Sequence, residues 1–101
     1  MLNINKTIEN GKAIFALAGR LDTTTAPDLE KELKESLGGV SELMLDFAGL
    51  EYISSAGLRV LLSAQKSMNK QGEMKIKNVN ETIAEIFEVT GFTDKIGRAH
   101  V

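Results

Sequence analysis

A strand-like run, a helical stretch and a second strand-like run follow one another in the middle of this chain. The apolar run 43–47 has the length of a strand and is interrupted only by Asp46. Residues 56–70 carry apolar side chains at helical spacing, Gly72 ends that helix, and residues 74–77 return to a strand pattern. Two strands joined by a crossover helix form a βαβ unit, so we expect these strands to run parallel in one sheet.

An antiparallel hairpin is predicted before this unit. The first residues show an imperfect alternation of apolar and polar side chains, and residues 13–18 are apolar. Asn10-Gly11 lies between the two segments, and both residues tolerate the positive φ angles of a type I′ turn. We therefore expect two antiparallel strands at the start of the chain.

Helices are predicted on either side of the βαβ unit. In the first, Thr25 is expected to act as the N-cap, and Pro27 fits the first turn, where its missing N–H has no consequence. The apolar stripe of this helix consists of Leu29, Leu33 and Leu37, at intervals of four residues. This stripe predicts the face that packs on the sheet.

The last helix is expected to begin after Asn80 as N-cap and to end at Gly91 in the left-handed conformation. Phe92 would then fold back onto Phe87. The predicted element order is ββαβαβα, an α/β fold in which helices pack on a mixed β-sheet. A length of 101 residues fits one domain, and we assign residues 1–95 to it.

Composition excludes several classes of protein. The net charge is −2 with no basic block, so a nucleic-acid partner is not expected. No apolar run is long enough to span a membrane. Cysteine is absent, which rules out disulfides and thiolate metal sites. We expect a cytoplasmic monomer with no metal and no cofactor.

Catalysis is not predicted. Ser55 lies on a strand-to-helix turn, as the serine of a nucleophile elbow does, but His100 is the only histidine and stands next to the C-terminus. The glycines match neither the P-loop pattern nor the dinucleotide-binding pattern. No catalytic residue is therefore assigned.

The segment most informative about function carries Ser54 and Ser55 into the first turn of the second predicted helix. Serine is a common N-cap residue, so capping accounts for one of the two. A phosphate on a serine here would be stabilised by the unpaired N–H groups and the positive end of the helix. Gly57 adds no side chain, which we interpret as room for a partner to approach the backbone.

The run Asp46-Phe47-x-x-Leu50-x-x-Ile53-Ser54-Ser55-Ala56-Gly57-Leu58 resembles the signature of the STAS domain, the fold of anti-sigma factor antagonists. The resemblance extends upstream to Ala18-Gly19-Arg20-Leu21-Asp22 and downstream to Gly91-Phe92-x-x-Lys95. It implies a STAS-like fold across nearly the whole chain.

The resemblance also implies a function. Such a protein binds an anti-sigma factor, itself a serine kinase, and so releases a sigma factor. Phosphorylation of the serine at the position of Ser55 weakens binding, and a separate serine phosphatase restores it. The implied partner-binding residues are Asp22, Thr23, Thr24, Ser54, Ser55, Ala56, Gly57 and Leu58. Asp22 could equally be a structural turn or capping residue.

Two positions depart from the best-known members of the family. Those proteins carry aspartate where Ser54 stands, and serine or threonine where Ala56 stands. The loss of the carboxylate changes the local charge, and Ser54 becomes a competing site of modification.

Two alternatives stay open at this point. The same fold serves as a subunit of lipid-transport ABC systems and as a scaffold of sensory complexes. Residues 96–101 are similar to the translation of a common sequencing adapter, so we interpret them as a C-terminal tail that is partly or wholly a sequencing artefact; a short natural tail is the alternative.

Overall fold

The computed structural model describes residues 2–91 and confirms the order ββαβαβα. The strands and helices are β1 (Leu2–Glu9), β2 (Lys12–Leu21), α1 (Ala26–Ser36), β3 (Glu42–Ile53), α2 (Ser55–Asn69), β4 (Glu73–Lys77) and α3 (Glu81–Thr90). The strands form one mixed sheet in the order β1-β2-β3-β4. β1 is antiparallel to β2, whereas β3 is parallel to both β2 and β4. The predicted parallel βαβ unit is therefore confirmed.

The β1–β2 hairpin is closed by a two-residue turn, as predicted. Asn10 and Gly11 have φ angles of 52° and 77°. Positive φ at both positions defines the type I′ turn, whose twist matches that of the flanking strands. The pairing runs without a bulge from Leu2 opposite Gly19 to Glu9 opposite Lys12.

All three helices contribute their buried residues to one core with the sheet. On β2 and β3 the buried side chains alternate with partly buried ones, as expected for a sheet with one covered face. The rings of Phe47 on β3 and Phe87 on α3 lie 6.4 Å apart, which fixes α3 against the sheet. The predicted stripe of α1 is also buried, at Leu29, Leu33 and Leu37.

β3 is much longer than the predicted strand 43–47. It continues to Ile53, and its register with β2 shifts twice, between Ala16 and Ala18 and between Gly19 and Arg20. At each shift β3 contributes one more residue than β2 does. Bulges of this kind change which side chains face the core. The apolar run that predicted the strand ends at Phe47, where the first bulge lies between Asp46 and Gly49.

The start of α1 differs from the prediction in its chemistry. Thr25 is the N-cap residue by position, but its side chain makes no cap hydrogen bond. Its hydroxyl instead donates to the carbonyl of Arg20 at 2.8 Å and accepts from the N–H of Asp22 at 2.8 Å. Thr25 therefore closes the turn before the helix, and Pro27 lies in the first helical turn as predicted.

The end of the last helix follows the prediction up to Gly91. Asn80 caps α3 through its side-chain oxygen, which accepts from the N–H of Ile83 at 2.8 Å. Gly91 has a φ of 73°, in the left-handed region. The predicted contact of Phe92 and the tail 96–101 lie outside the described residues. Within residues 2–91, no helix is both long and apolar enough to cross a membrane.

Candidate functional site

Ser54 joins the end of β2 to the start of α2. Its backbone N–H donates to the carbonyl of Leu21 at 2.8 Å. Its carbonyl accepts from the N–H of Leu58 at 2.9 Å, and its hydroxyl oxygen accepts from the N–H of Gly57 at 3.3 Å. Ser54 is therefore the N-cap of α2, and its side chain serves the fold.

Ser55 is the first residue of α2 and has a different environment. Its side chain is exposed, and its hydroxyl makes no hydrogen bond to any residue in 2–91. N–H groups in the first turn of a helix have no acceptor within that helix. The first turn of α2 contains no acidic residue, so negative charge there meets no carboxylate of the same turn. This arrangement suits a covalently attached anion on Ser55.

The β2–α1 loop lies directly beside Ser54, because Leu21 at the end of β2 accepts the hydrogen bond from Ser54. In this loop Asp22 Oδ1 accepts from the Thr24 hydroxyl at 2.8 Å and from the N–H groups of Thr24 and Thr25 at 3.1 Å. The Thr24 hydroxyl makes the largest contribution to holding the pKa of Asp22 below its ordinary value of 3.8. These bonds support the turn-forming interpretation of Asp22, which the sequence left open.

The structure brings Thr23 and Ala56 to one shallow groove between the N-terminal ends of α1 and α2. Pro27 and Glu30 form the α1 side of this groove, and Arg59 lies on its α2 side. Sequence reasoning did not select Arg59. Its position four residues after Ser55, on the same face of the helix, is the signal that could have identified it.

Gly57 and Leu58 are buried, so they do not offer side-chain surface to a partner. A Cβ atom on Gly57 would lie 2.7 Å from Cγ of Leu21 and 2.9 Å from Cγ1 of Ile53. The interpretation that the missing side chain of Gly57 leaves room for a partner is therefore wrong. That room is taken by the close packing of α2 on the ends of β2 and β3.

Arg20 and Tyr52 form a second feature that sequence reasoning missed. They are register partners on β2 and β3, and the Arg20 guanidinium lies 4.6 Å from the centre of the Tyr52 ring. Arg20 Nε also lies 3.9 Å from Asp22 Oδ2. Because these residues are opposite each other only after the second bulge of β3, strand alternation could not have paired them.

No group of three or more His, Cys, Asp or Glu side chains in the described range could hold a metal ion. The geometry at Ser55 is that of an exposed hydroxyl at a helix end.

Comparison with known proteins gives a consistent picture. The STAS domain family model matches residues 3–101. The chain is 38% identical over 85 residues to BtrV of Bordetella bronchiseptica, covering 82% of this chain and 73% of that protein. It is 29% identical over 98 residues to the anti-sigma-B factor antagonist of Bacillus subtilis, covering 94% and 90%. The phosphorylated form of the Bacillus cell fate determinant SpoIIAA shares the fold, with a TM-score of 0.75 and 16% identity over 98% of this chain and 91% of that one.

Proposed function

The chain belongs to the STAS domain family, and we propose that it is an anti-sigma factor antagonist switched by phosphorylation of Ser55. In this proposal the unphosphorylated protein binds an anti-sigma factor that is a serine kinase, and a sigma factor is released. The kinase phosphorylates Ser55 and binding is lost, until a serine phosphatase removes the phosphate. The protein works in the cytoplasm by binding and catalyses no reaction.

The observation that carries the proposal is the division of roles between the two adjacent serines. Ser54 uses its hydroxyl oxygen as the N-cap acceptor, whereas the Ser55 hydroxyl is exposed and unbonded within the described part of the chain. A kinase can reach Ser55 without disturbing the start of α2. This favours Ser55 over Ser54 as the phosphate acceptor.

The proposed binding surface consists of the exposed side chains beside Ser55. Thr23, Thr24 and Ser55 are exposed and Ala56 is partly so, and Thr23 and Ala56 share the groove that Arg59 borders. Asp22 supports this surface by holding the β2–α1 loop in shape. Ser54, Gly57 and Leu58 support it from below by fixing the start of α2.

Phosphorylation would change this surface strongly. A phosphoserine carries nearly two negative charges at neutral pH. Burying such a group without a partner in a protein interface costs several kcal/mol. Since about 1.4 kcal/mol corresponds to tenfold in affinity, binding should fall by orders of magnitude. The N-terminal end of α2 stabilises the phosphate locally, so the fold should stay intact.

Titration calorimetry with the cognate anti-sigma factor tests the proposal. Ser55→Asp should weaken binding at least about tenfold, because it places a permanent charge on the surface. Ser63→Asp is the matched control, since Ser63 is exposed on the same helix two turns further on and should bind as the wild type does. The melting temperature of both variants should stay close to that of the wild type.

Mass spectrometry after incubation with the kinase and ATP assigns the phosphate. Ser55→Ala should bind the kinase and accept no phosphate, and Ser54→Ala should still be phosphorylated. Phosphate found only on Ser54, or full affinity after modification of Ser55, would contradict the assignment. Co-purification with an ABC transporter instead of an anti-sigma factor would favour the lipid-transport alternative.

A further inference from the structure

An arginine without a partner lies one helical turn after Ser55. Arg59 is exposed on α2, four residues after that serine. Within residues 2–91 its side chain forms no hydrogen bond and no ion pair. The other arginine of the described range, Arg20, has its guanidinium 4.6 Å from the centre of the Tyr52 ring. A free guanidinium therefore stands beside the proposed phosphorylation site.

The carboxylates near the start of α2 are engaged elsewhere. Glu30 borders the same groove as Arg59, but its Oε2 lies 3.8 Å from Nζ of Lys34. Asp22, in the β2–α1 loop, lies 3.9 Å from Nε of Arg20 and accepts hydrogen bonds within its own turn. The first turn of α2 contains no acidic residue. Arg59 is therefore available to a new anion at this end of the helix.

Helix geometry places the side chains of Ser55 and Arg59 within reach of each other. Residues four apart on a helix are neighbours on its surface, with Cβ atoms about 5–6 Å apart. Side chains on a helix also lean toward its N-terminus, so a long one at position 59 extends over position 55. An anion that precedes a cation by four residues is the more favourable order of such a pair. A phosphate on Ser55 would have this relation to Arg59.

The start of α2 is fixed in a way that preserves this relation after modification. The hydroxyl oxygen of Ser54 accepts from the N–H of Gly57 at 3.3 Å, so the cap does not use the Ser55 hydroxyl. Gly57 packs closely on Leu21, which holds the first turn against the end of the sheet. A phosphate on Ser55 therefore does not have to displace the cap, and the helical register between positions 55 and 59 is kept.

We propose that Arg59 is the positioning residue of the phosphorylated form, in which its guanidinium pairs with the phosphate on Ser55. Hydrogen bonds between arginine and phosphate are charge-assisted and stronger than those between neutral groups. The pair holds the phosphate against α2 instead of leaving it free in solvent. This inference rests on the proposed function, because it concerns the protein after phosphorylation of Ser55.

Such a pair changes two features of the surface in one step. Without phosphate, the cation of Arg59 is free at the border of the groove that Thr23 and Ala56 line. With phosphate, the negative charge appears at Ser55 and the same cation is drawn toward it. The modification therefore acts on the groove as well as on the helix start, although it is attached to one side chain.

A pH titration of the phosphate, followed by ³¹P NMR, tests the pair in this protein alone. Phosphoserine is incorporated at position 55 during translation with a suppressor tRNA, so no kinase is needed. The second ionisation of the phosphate occurs near pH 6, and a neighbouring cation favours the doubly charged form. Arg59→Gln should therefore raise the midpoint of the titration by about 0.2–0.4 pH, the effect of one exposed ion pair on a helix. Arg59→Lys keeps the charge and should restore the lower midpoint.

Lys66→Gln is the matched control, because it removes another exposed cation of α2 about two turns further on and should leave the midpoint unchanged. In about 1 M NaCl the difference between Arg59→Gln and the wild-type residue should shrink, since an exposed pair is screened by salt. Equal midpoints for these two proteins, or an equal rise in Lys66→Gln, would overturn the proposal. A kinase that leaves Ser55 unmodified would instead contradict the proposed function, without affecting the titration.

Discussion

Two residues in the first turn of α2 differ in their burial. Ser55 is exposed, whereas Gly57, two residues later, packs on Leu21 and Ile53 so closely that a Cβ atom would overlap them. The helix start is therefore held rigidly from below while its outer surface stays available. Rigid placement of an exposed group limits the conformational entropy that a partner must remove on binding.

Gly57→Ala tests this packing. Alanine favours a helix over glycine by about 1 kcal/mol, but the added methyl group overpacks the junction by roughly 1–3 kcal/mol. We expect the variant to be less stable than the wild type, measured as a lower midpoint in urea unfolding. Gly38→Ala is the control, because a Cβ atom there meets nothing within 4 Å and its stability should stay near that of the wild type. A more stable Gly57→Ala variant would show that α2 can move away from the sheet.

At the scale of elements, the two bulges of β3 determine which side chains at the end of this strand are buried and where the strand ends. Phe47, Leu50 and Ile53 are all buried although they are three residues apart, which a regular strand would not allow. Gly49 permits the first bulge, because a Cβ atom there would lie 2.8 Å from Cβ of Ala18. The two bulges bring β3 to its end beside Leu21, where Ser54 caps the next helix.

The buried face of α2 gives a prediction about how this helix packs against the core. Leu61 is fully buried, whereas Leu62 is only partly buried at the edge of the core. Leu61→Ala should lower the free energy of unfolding by about 2–5 kcal/mol, a large share of the stability of a small domain. Leu62→Ala should have a clearly smaller effect. Equal denaturation midpoints for Leu61→Ala and the wild type would mean that the helix face is assigned wrongly.

At the scale of the whole molecule, two aspartates stabilise segments next to the sheet by accepting hydrogen bonds. Asp22 organises the β2–α1 loop, and Asp46 Oδ1 accepts from the side-chain amide of Asn78 at 2.9 Å and from the N–H of Ala48 at 3.0 Å. The Asn78 amide makes the largest contribution to holding the pKa of Asp46 below its ordinary value of 3.8. The fold therefore prefers the ionised form of both carboxyl groups.

This preference predicts a dependence of stability on pH. A carboxyl group whose pKa is lowered in the folded state binds protons more readily in the unfolded state. Its contribution is complete well above pH 3.8 and is lost as the pH falls through the lowered folded value. Asn78→Gly keeps the left-handed backbone of that residue, whose φ is 60°, but removes the amide donor. The variant should lose less stability on acidification than the wild type, as measured by urea unfolding between pH 7 and pH 3. An identical pH dependence would exclude this contribution of Asn78.

Much of the architecture was predictable because it depends on local physics. The Asn10-Gly11 turn, the cap at Asn80 and the left-handed Gly91 each follow from the conformational preferences of one or two residues. The parallel βαβ unit follows from connection length and chain handedness. For the site, two serines at a helix start could be predicted from the sequence, but not which of Ser54 and Ser55 is the cap and which is exposed.

Tertiary structure decided what depends on residues distant in the sequence. The extension of β3 to Ile53 and the stacking of Arg20 on Tyr52 depend on where two bulges shift the register with β2. The glycine at position 57 is explained only by Leu21, which lies 36 positions earlier in the chain. The sequence by itself determined the order of the elements, the hairpin turn and both ends of α3, because periodicity, turns and caps act within a few residues. Register, close approach and exposure were decided by the packed sheet, because each is a distance between strands and helices that the chain brings together only on folding.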